Sequence, residues 1–344
     1  MKNRIALINL LIILLSLNSC KNDQQILHKN ITGRAYEMVI VIPDGEWNAE
    51  PGKLIQETLG QIQLILPQDE PVFDLINIPP KAFKSIFKST RNILQVEFSS
   101  TFSEPKISFT DDVWAYPQAT VQIKAPNAEA FAKVFNKNSE RILAYFMEAE
   151  KERMTMNYNK YYEKSVYNKL DQDFGITMKV PPGFRIVEQK EDLIWFKYET
   201  PDISQGVVVY TFPYVSDTTL TKKYLVEKRD EILKINVPGP IDGSYMATEK
   251  RVDPVFRVFT HNGNYATDMR GLWRLMNDFM GGPYVSIAEL DIFNQRVVVA
   301  YGYVYAPGKD KRNYINQVEA MIYSLKFNDQ DKNDKLNSQM NLGN

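Results

Sequence analysis

Apolar and polar side chains alternate along this chain in a pattern that predicts two halves, each built from strands and amphipathic helices. In the first half, residues 36–42 form an apolar run typical of a buried strand. Helical spacing of apolar residues appears at 53–64 and in a long segment that begins at Asn127. Three further runs are rich in strand-forming residues: 92–98, 106–110 and 119–124.

The second half carries more strand-like segments than the first. Four short apolar runs are separated by turn residues, and two hairpins and two amphipathic helices follow them. The strands are predicted at 176–180, 184–188, 193–199 and 206–213, the hairpins at 257–269 and 284–305, and the helices at 219–235 and 311–325. Strands in runs, with helices between the runs, predict an α+β fold class. We expect two α/β sandwich-like halves, each a mainly antiparallel sheet packed with helices.

The N-terminal segment resembles the signal of a bacterial lipoprotein. Lys2 and Arg4 precede an apolar run at residues 5–17 that is too short to span a bilayer, and Cys20 is the only cysteine. The tetrapeptide Leu17-Asn18-Ser19-Cys20 resembles the bacterial lipobox. This resemblance implies that Cys20 is acylated and becomes the first residue of the mature protein. An ordinary cleaved signal with an incidental cysteine is the alternative.

Lipidation at Cys20 predicts a location and a division of the chain. Lys21 favours the outer membrane, since an aspartate after the cysteine retains some lipoproteins at the inner membrane. We therefore expect a lipid-anchored protein of the cell envelope, held to its membrane by the lipid on Cys20. The predicted divisions are a signal peptide at 1–19, a lipidated tether at 20–34, an N-terminal α+β domain at 35–168, a C-terminal α+β domain at 169–328 and a disordered tail at 329–344.

Charge and composition restrict the other partners. The 344 residues carry a formal net charge of -1, whereas nucleic-acid binders normally show a strong basic excess, so we expect no nucleic-acid partner. The sequence has no nucleotide-binding fingerprint and no metal-ligand spacing, so we expect no cofactor or metal. Of the two histidines, His28 lies in the tether, and we expect His261, beside Asn262-Gly263, to occupy an exposed turn rather than a catalytic triad.

Arginine, aromatic and glycine residues concentrate between positions 270 and 284, and a basic pair follows at 311 and 312. Arginine and aromatic side chains are enriched in binding hot spots, and glycines let a partner approach closely. We therefore expect an anionic or carbohydrate-containing ligand, or an envelope protein, to bind there. The alternative is that Trp273 belongs to the core and the arginines pair within the fold. The candidate residues are Arg270, Trp273, Arg274, Asp278, Gly281, Gly282, Tyr284, Lys311 and Arg312.

A second candidate surface is the basic segment at residues 81–91. Lys81, Lys84, Lys88 and Arg91 repeat at helical steps, with apolar side chains on another side of the predicted helix. Such a helix either lies on an anionic membrane or covers the sheet with a solvated basic face.

Several unusual short motifs occur in order through the second half. They are Arg229-Asp230, Pro238-Gly239-Pro240, Gly243-Ser244-Tyr245-Met246, Arg270-Gly271-Leu272-Trp273, Met280-Gly281-Gly282-Pro283-Tyr284, and Tyr305-Ala306-Pro307-Gly308 with Lys311-Arg312. Together with the N-terminal signal they resemble a family of Bacteroidetes lipoproteins classified as a domain of unknown function. The Pro-Pro-Gly-Phe opening and the ending Ser324-Leu325-Lys326-Phe327 give the second half a further resemblance to the α/β/α sandwich of small extrinsic photosystem subunits. Neither resemblance implies a known activity.

Catalysis without histidine stays open as an alternative, because glycoside hydrolysis needs only two carboxyl groups at a suitable separation. Asp268, Asp278, Glu289 and Asp291 lie in the motif-rich part of the chain. No familiar catalytic motif accompanies them. The sequence therefore favours a membrane-anchored envelope lipoprotein that acts as a non-catalytic binding or assembly module, and the alternative is a periplasmic or surface hydrolase that uses Asp or Glu.

Overall fold

The computed structural model of this protein describes residues 29–328. The predictions for the signal peptide, Cys20, the first part of the tether and the tail at 329–344 lie outside these residues. Within the described range, no helix is both long enough and apolar enough to cross a membrane.

Seventeen strands and seven α-helices are assigned between residues 29 and 328. The strands are β1 (Lys29–Asn30), β2 (Glu37–Val41), β3 (Asp74–Ile78), β4 (Asn92–Phe98), β5 (Lys106–Asp111), β6 (Ala115–Tyr116), β7 (Ala119–Ala125), β8 (Ile176–Thr177), β9 (Arg185–Gln189), β10 (Leu193–Glu199), β11 (Ser204–Pro213), β12 (Tyr245–Thr248), β13 (Val255–His261), β14 (Asn264–Met276), β15 (Gly281–Asp291), β16 (Arg296–Tyr305) and β17 (Lys326–Phe327). The helices are α1 (Asp44–Trp47), α2 (Glu50–Leu59), α3 (Ser85–Lys88), α4 (Ala128–Lys160), α5 (Lys164–Phe174), α6 (Lys222–Asn236) and α7 (Arg312–Ile322).

The α+β fold class and the two sheet-containing halves are confirmed, but the strand direction predicted for the first half is wrong. Its five-stranded sheet has the order β3-β2-β4-β7-β5. The first four strands are parallel, and only β5 runs antiparallel to its neighbour. Phe131, Phe135, Ile142 and Phe146 of α4 pack on one face with Ile55 and Leu59 of α2. Parallel neighbours arise here because helices and long loops separate the strands in sequence.

The second half is built on an eight-stranded antiparallel sheet with the order β12-β14-β15-β16-β11-β10-β9, to which β13 adds by pairing with β14. Successive side chains of a strand point to opposite faces. One face packs against α5 and α7 through residues such as Val285, Ile287 and Val318. The other face packs against α6 through residues such as Tyr301, Met269 and Leu233. This sheet between two helical layers positions the site described below.

Two local predictions are corrected. Residues 29–34 of the predicted tether belong to the folded body, because β1 pairs in parallel with β6 and Thr32 forms a bridge with Thr90. The basic segment at 81–91 is not one amphipathic helix. It contains only a 3₁₀ turn at Pro80–Ala82 and the single turn of α3. Phe83 and Phe87 instead pack against the second face of the N-terminal sheet.

The two halves meet at the beginning of α7. The backbone N–H groups of Lys311 and Arg312 donate to the carboxylate of Glu70, at distances of 2.7 to 2.9 Å. An acidic group is favourable at this end of a helix, where the N–H groups lack partners in the helix itself. Arg312 also forms a bidentate pair with Asp74, so this basic residue joins the second half to the first.

Candidate functional site

A cleft of about 370 Å³ lies on the α6 side of the C-terminal sheet. Its floor is aromatic and comes from three strands: Trp195 of β10, Trp273 of β14, and Tyr303 of β16. Side chains alternate between the two faces along each strand, and residues paired across strands lie on the same face. The pairing registers place these three side chains on the same face of the sheet. Met246, Leu275 and Val237 complete an apolar lining. The result is a concave site of the size that small ligands occupy.

A loop and a hairpin turn form one wall of the cleft. Residues 238–244 fold back as a turn, in which the N–H of Gly239 donates to the carbonyl of Ser244 at 2.9 Å and Pro238 bridges to Tyr245. Beside it, the turn between β14 and β15 brings Met280 to the cleft, and the N–H of Leu275 donates to the carbonyl of Met280 at 2.8 Å. Both wall segments are therefore tied to the sheet by backbone hydrogen bonds.

The polar groups of the floor bond to one another. The indole N–H of Trp273 donates to the carbonyl of Val304 at 3.1 Å, and that of Trp195 donates to the hydroxyl of Tyr303 at 3.2 Å. The rings of Trp273 and Tyr303 meet edge to face, with centroids 5.6 Å apart. Burial raises the pKa of Tyr303 well above its usual value, although the bond from Trp195 opposes that shift. The floor is neutral and already hydrogen-bonded.

The charged groups of the rim are also paired. Lys197 lies 2.8 Å from Glu199, and Lys309 lies 2.8 Å from Asp202. The Thr200 hydroxyl accepts from the N–H of Ile203 at 3.1 Å. These contacts fix the mouth of the cleft and leave each of its carboxylates beside a lysine.

The structure divides the predicted binding residues between different places. Trp273 lies in the cleft floor, 2 % exposed. Gly281 and Gly282 lie beneath it on β15, in register with Arg274 and Trp273, and a side chain at either position would collide with the backbone of β14 or β16. The close approach that these glycines permit is therefore made by the protein's own chains rather than by a partner.

Arg270 points to the opposite face of the sheet from Trp273. Its guanidinium forms a bidentate pair with Glu319 of α7, at 2.6 and 3.0 Å, and lies 3.3 Å from Asp268. Burial alone lowers the pKa of this guanidinium, but the carboxylates of Glu319 and Asp268 more than offset it and leave the pKa raised. Arg270 thus joins the sheet to α7, as the alternative interpretation expected for the arginines.

Arg274 and Asp278 lie outside the aromatic cleft. Arg274 lines a second concavity, of about 500 Å³, beside the edge strand β12, where its guanidinium is 3.8 Å from Glu249. Glu249 is bound more closely by Arg251, whose hydrogen bonds lower the pKa of the Glu249 carboxyl to about 2. Asp278 lies in the turn between β14 and β15 and accepts from the N–H of Phe279 at 2.6 Å.

Tyr284 and the basic pair have structural surroundings. Tyr284 is 1 % exposed, and the guanidinium of the buried Arg229 lies 4.2 Å from the centroid of its ring. Lys311 and Arg312 are buried at the junction of the two halves, where the ammonium of Lys311 donates to the Gln68 side chain at 3.1 Å. The nine candidate residues do not form a single site.

The expectation of an exposed His261 is wrong. This residue is 9 % exposed at the end of β13, and its ring nitrogens lie 2.8 Å from the buried Glu289 and 3.0 Å from the carbonyl of Tyr323. Asn264 also donates to Glu289, at 2.7 Å. The hairpin turn folds over the C-terminal end of α7, and this contact removes His261 from solvent.

The candidate catalytic carboxylates are also engaged. Asp268 is 1 % exposed and bonds to Arg257 and Tyr323, each at 2.9 Å. Asp291 lies 2.9 Å from Arg296. A general acid or base must reach its substrate, whereas these two carboxylates contact arginines of the protein itself. The geometry of these acids therefore gives the hydrolase alternative no support.

Trp195 and Tyr303 are cleft residues that the sequence interpretation missed. They lie more than one hundred positions apart and meet because β11 pairs with both β10 and β16. The available signal was the spacing of Tyr301, Tyr303 and Tyr305, which places three aromatic rings on one face of a predicted strand.

Two family models match different parts of the chain. Residues 163–324 match "Domain of unknown function (DUF4837)", and residues 31–159 match "Domain of unknown function (DUF8532)". Each match covers less than half of the chain. Both fit the expectation of a family defined only as a domain of unknown function.

No curated protein matches the chain. Among solved structures, the Saccharomyces cerevisiae Ran-binding protein Mog1p is similar with a TM-score of 0.31 and 12% identity, over 45% of this chain and 90% of that one. A mutant of the protein Mog1 is similar with a TM-score of 0.28 and 12% identity, over 44% of this chain and 90% of its own. Similarity at this level says nothing about the function of this chain.

Proposed function

We propose that this protein is a lipid-anchored binding module of a bacterial cell envelope, and that the aromatic cleft is its ligand site. The observation that carries this proposal is the cleft itself, whose floor is made of Trp195, Trp273 and Tyr303 held in place by hydrogen bonds within the fold. A concave, largely apolar and preformed site is typical of small-ligand binding.

The proposed address depends on Cys20, which the structure does not describe. The lipobox-like tetrapeptide and the resemblance to Bacteroidetes lipoproteins support acylation of this cysteine and attachment to the outer membrane. Lys29, where the described fold begins with β1, lies nine positions after Cys20. This segment reaches at most about 30 Å when fully extended, so acylation would hold the folded body close to the membrane surface.

A binding role suits the chemistry of the cleft better than catalysis does. Glu199 and Asp202 are the carboxylates of its rim, and each lies 2.8 Å from a lysine. The floor presents aromatic rings and methionine in place of an acid and base pair. We therefore propose a module that holds a ligand or presents it to another envelope component.

The proposed lipid anchor is tested by growing cells that express the protein with labelled palmitate. The wild-type chain is expected to incorporate the label and to fractionate with the outer membrane. The Cys20→Ser variant is expected to lose the label and to leave the membrane fraction. Unlabelled wild-type protein would overturn the proposed lipid anchor without bearing on the cleft.

The cleft is tested by thermal unfolding in the presence of a panel of glycans, peptides and lipids. Ser204 lines the cleft on β11, so the Ser204→Trp variant places an indole in the ligand space. Met280→Lys is a second variant, which introduces a charge at the wall. Phe293→Trp is the control, because Phe293 is 83% exposed in the turn between β15 and β16, at the opposite end of β15 from Met280.

A ligand that stabilises the wild type and the control, but neither cleft variant, is the expected result. Stabilisation follows from binding to the folded state alone. A panel in which every ligand acts equally on all four proteins would overturn the cleft as the functional site.

A further inference from the structure

Two turns project side by side next to the aromatic cleft. Strand β12 pairs with β14 so that Tyr245 faces Met276, which places the loop before β12 beside the turn after β14. The side chain of Asn277 ties the two turns together by donating to the carbonyl of Gly243 at 3.1 Å. The loop and the turn therefore form one continuous edge of the cleft.

Each turn carries a large apolar side chain in solvent. Phe279 is 104% exposed, and Ile241 is 53% exposed. Their chain neighbours Met280 and Pro240 line the cleft. We call Ile241 and Phe279 the apolar lip. Exposed apolar surface that continues into an apolar cleft marks a site of interaction with a protein or a membrane.

The cleft floor is suited to a ligand without polar groups. Both indole N–H groups donate within the fold, and the lysines of the rim are bonded to Glu199 and Asp202. A sugar or an anion lying on this floor would find no free indole N–H, and each of its polar groups left without a partner would cost about 1 to 3 kcal/mol. A hydrocarbon has no such requirement. The cleft has a volume of about 370 Å³, which is more than twice that of an apolar cavity of ~150 Å³ that holds benzene.

We infer that the cleft holds an aliphatic chain, and that the apolar lip touches the lipid surface from which this chain enters. The inference rests on the proposed function, because it names the ligand class of the same cleft and uses the membrane proximity that an acylated Cys20 supplies. The aliphatic chain in the cleft comes either from a membrane lipid or from the lipid attached to Cys20, and the two are chemically alike. This replaces the anionic or carbohydrate ligand that the arginines suggested.

The test uses the full mature chain in a bile-salt detergent, which has no aliphatic tail to compete for the cleft. The chain is titrated with cis-parinaric acid, a fluorescent aliphatic probe whose carboxylate stays in solvent at the mouth of the cleft. Saturable binding is expected in the wild type and in Phe293→Trp. Affinity for the probe is expected to fall by about tenfold or more in Ser204→Trp, which narrows the cleft, and in Met280→Lys, which introduces a charge at its wall. Neither substitution changes the floor. The Cys20→Ser variant distinguishes the sources, because it binds the probe more tightly than wild type only if the protein's own acyl chains compete for the cleft.

The apolar lip is tested by the rate of probe transfer from vesicles of phosphatidylethanolamine and phosphatidylglycerol. Phe279→Ser is expected to slow this transfer several-fold, whereas Phe293→Ser, an equally exposed change at the other end of β15, is expected to leave it unchanged. Equal rates in the two variants would overturn the role of the lip.

The outcomes also separate this inference from the proposed function. Probe binding that is absent, or equal in wild type and both cleft variants, overturns the aliphatic ligand. If a glycan or peptide then stabilises the wild type but not Ser204→Trp, the binding module stands with another ligand. If no compound distinguishes these two proteins, the ligand and the proposed function both fail.

Discussion

The indole N–H of Trp273 donates to the carbonyl oxygen of Val304 at 3.1 Å, although their strands, β14 and β16, are separated by β15. The contact passes over Gly282, which is in register with Trp273 and has no side chain to block the ring. The pairing of β15 with β16 stops at Tyr284 and Tyr303. Pro283, which precedes Tyr284 in β15, has no N–H to donate to β16. The indole supplies a donor to the β16 carbonyl at this point and fixes the floor of the cleft.

Gly282→Ala is expected to destabilise the fold. A methyl group at this position would collide with the carbonyl of Val304 and press on the Trp273 indole. Overpacking of this kind costs about 1 to 3 kcal/mol. Urea unfolding followed by tryptophan fluorescence measures the change. We also expect weaker ligand binding, because the displaced indole enters the cleft.

Gly45→Ala is the matched control for that substitution. Gly45 lies in α1, is exposed, and has open space around its Cα. Alanine is favoured over glycine in a helix by up to about 1 kcal/mol, so this variant is expected to be as stable as wild type or slightly more so. If both alanines shift the urea midpoint equally, the steric role of Gly282 is contradicted.

Arg312→Ala is expected to weaken the junction between the halves. The side chain forms two hydrogen bonds to Asp74, at 2.7 and 3.1 Å, and one to the carbonyl of Pro71 at 2.6 Å. Charge-assisted bonds contribute about 1.5 to 3 kcal/mol each at most, and Asp74 regains water when Arg312 is removed. Calorimetry is expected to show a lower melting temperature and a broader transition, as the two halves unfold less cooperatively.

Lys222→Ala is the matched control. It removes an exposed ion pair in which the Lys222 ammonium lies 2.6 Å from the Asp253 carboxylate. Exposed pairs contribute about 0 to 1 kcal/mol, so a much smaller effect is expected. An Arg312→Ala protein that melts like Lys222→Ala would show that the junction is held by other contacts.

Arg270 and Glu319 are expected to be coupled energetically. A double-mutant cycle with Arg270→Ala and Glu319→Ala should give an interaction energy of about 1 to 3 kcal/mol, because their bidentate contact is partly buried between the sheet and α7. Neither variant is expected to alter ligand binding in the cleft, which lies on the other face. Loss of binding with unchanged stability would return Arg270 to the ligand site.

The separation of Arg270 from Trp273 shows where the sequence interpretation stopped. The predicted hairpin ends at residue 269, and grouping Arg270, Trp273 and Arg274 suits the three- and four-residue spacing of a helix. In the observed strand, which continues to Met276, side chains alternate, so residues 270 and 273 face opposite layers. Composition identified the right segment, but only the backbone conformation decides which of its residues share a site.

Strand positions were more predictable than strand partners. The prediction at 193–199 coincides with β10, and that at 92–98 coincides with β4, because local side-chain patterns determine where a strand forms. The parallel order of the first sheet depends on how distant segments pair. The short β3, with the sequence DLINI beside α2, was missed, and with it the parallel pair that it forms with β2. The cleft shares this property, since its floor exists only once β10, β14 and β16 are aligned.

Alkaline pH is expected to destabilise the fold through the buried tyrosines of the cleft face. Burial raises the pKa of Tyr303, and of Tyr210 and Tyr301 on the same face, above the usual tyrosine value of 10. Since the folded-state pKa is raised, the stabilisation is fully present below pH 10 and is lost progressively as the pH rises above 10 toward the folded-state pKa. The urea midpoint should therefore fall above pH 10, and tyrosinate absorbance from these residues should appear together with unfolding.

Tyr303→Phe distinguishes this residue from the other tyrosines. At neutral pH it removes the acceptor for the Trp195 indole, at a cost of about 1 kcal/mol. At high pH it removes one group that resists ionisation, so its stability should decline less steeply than that of wild type. Tyr116→Phe, at a position that is 50% exposed, is the control and should follow the wild-type slope. Parallel declines in all three proteins would show that ionisation of Tyr303 does not drive alkaline unfolding.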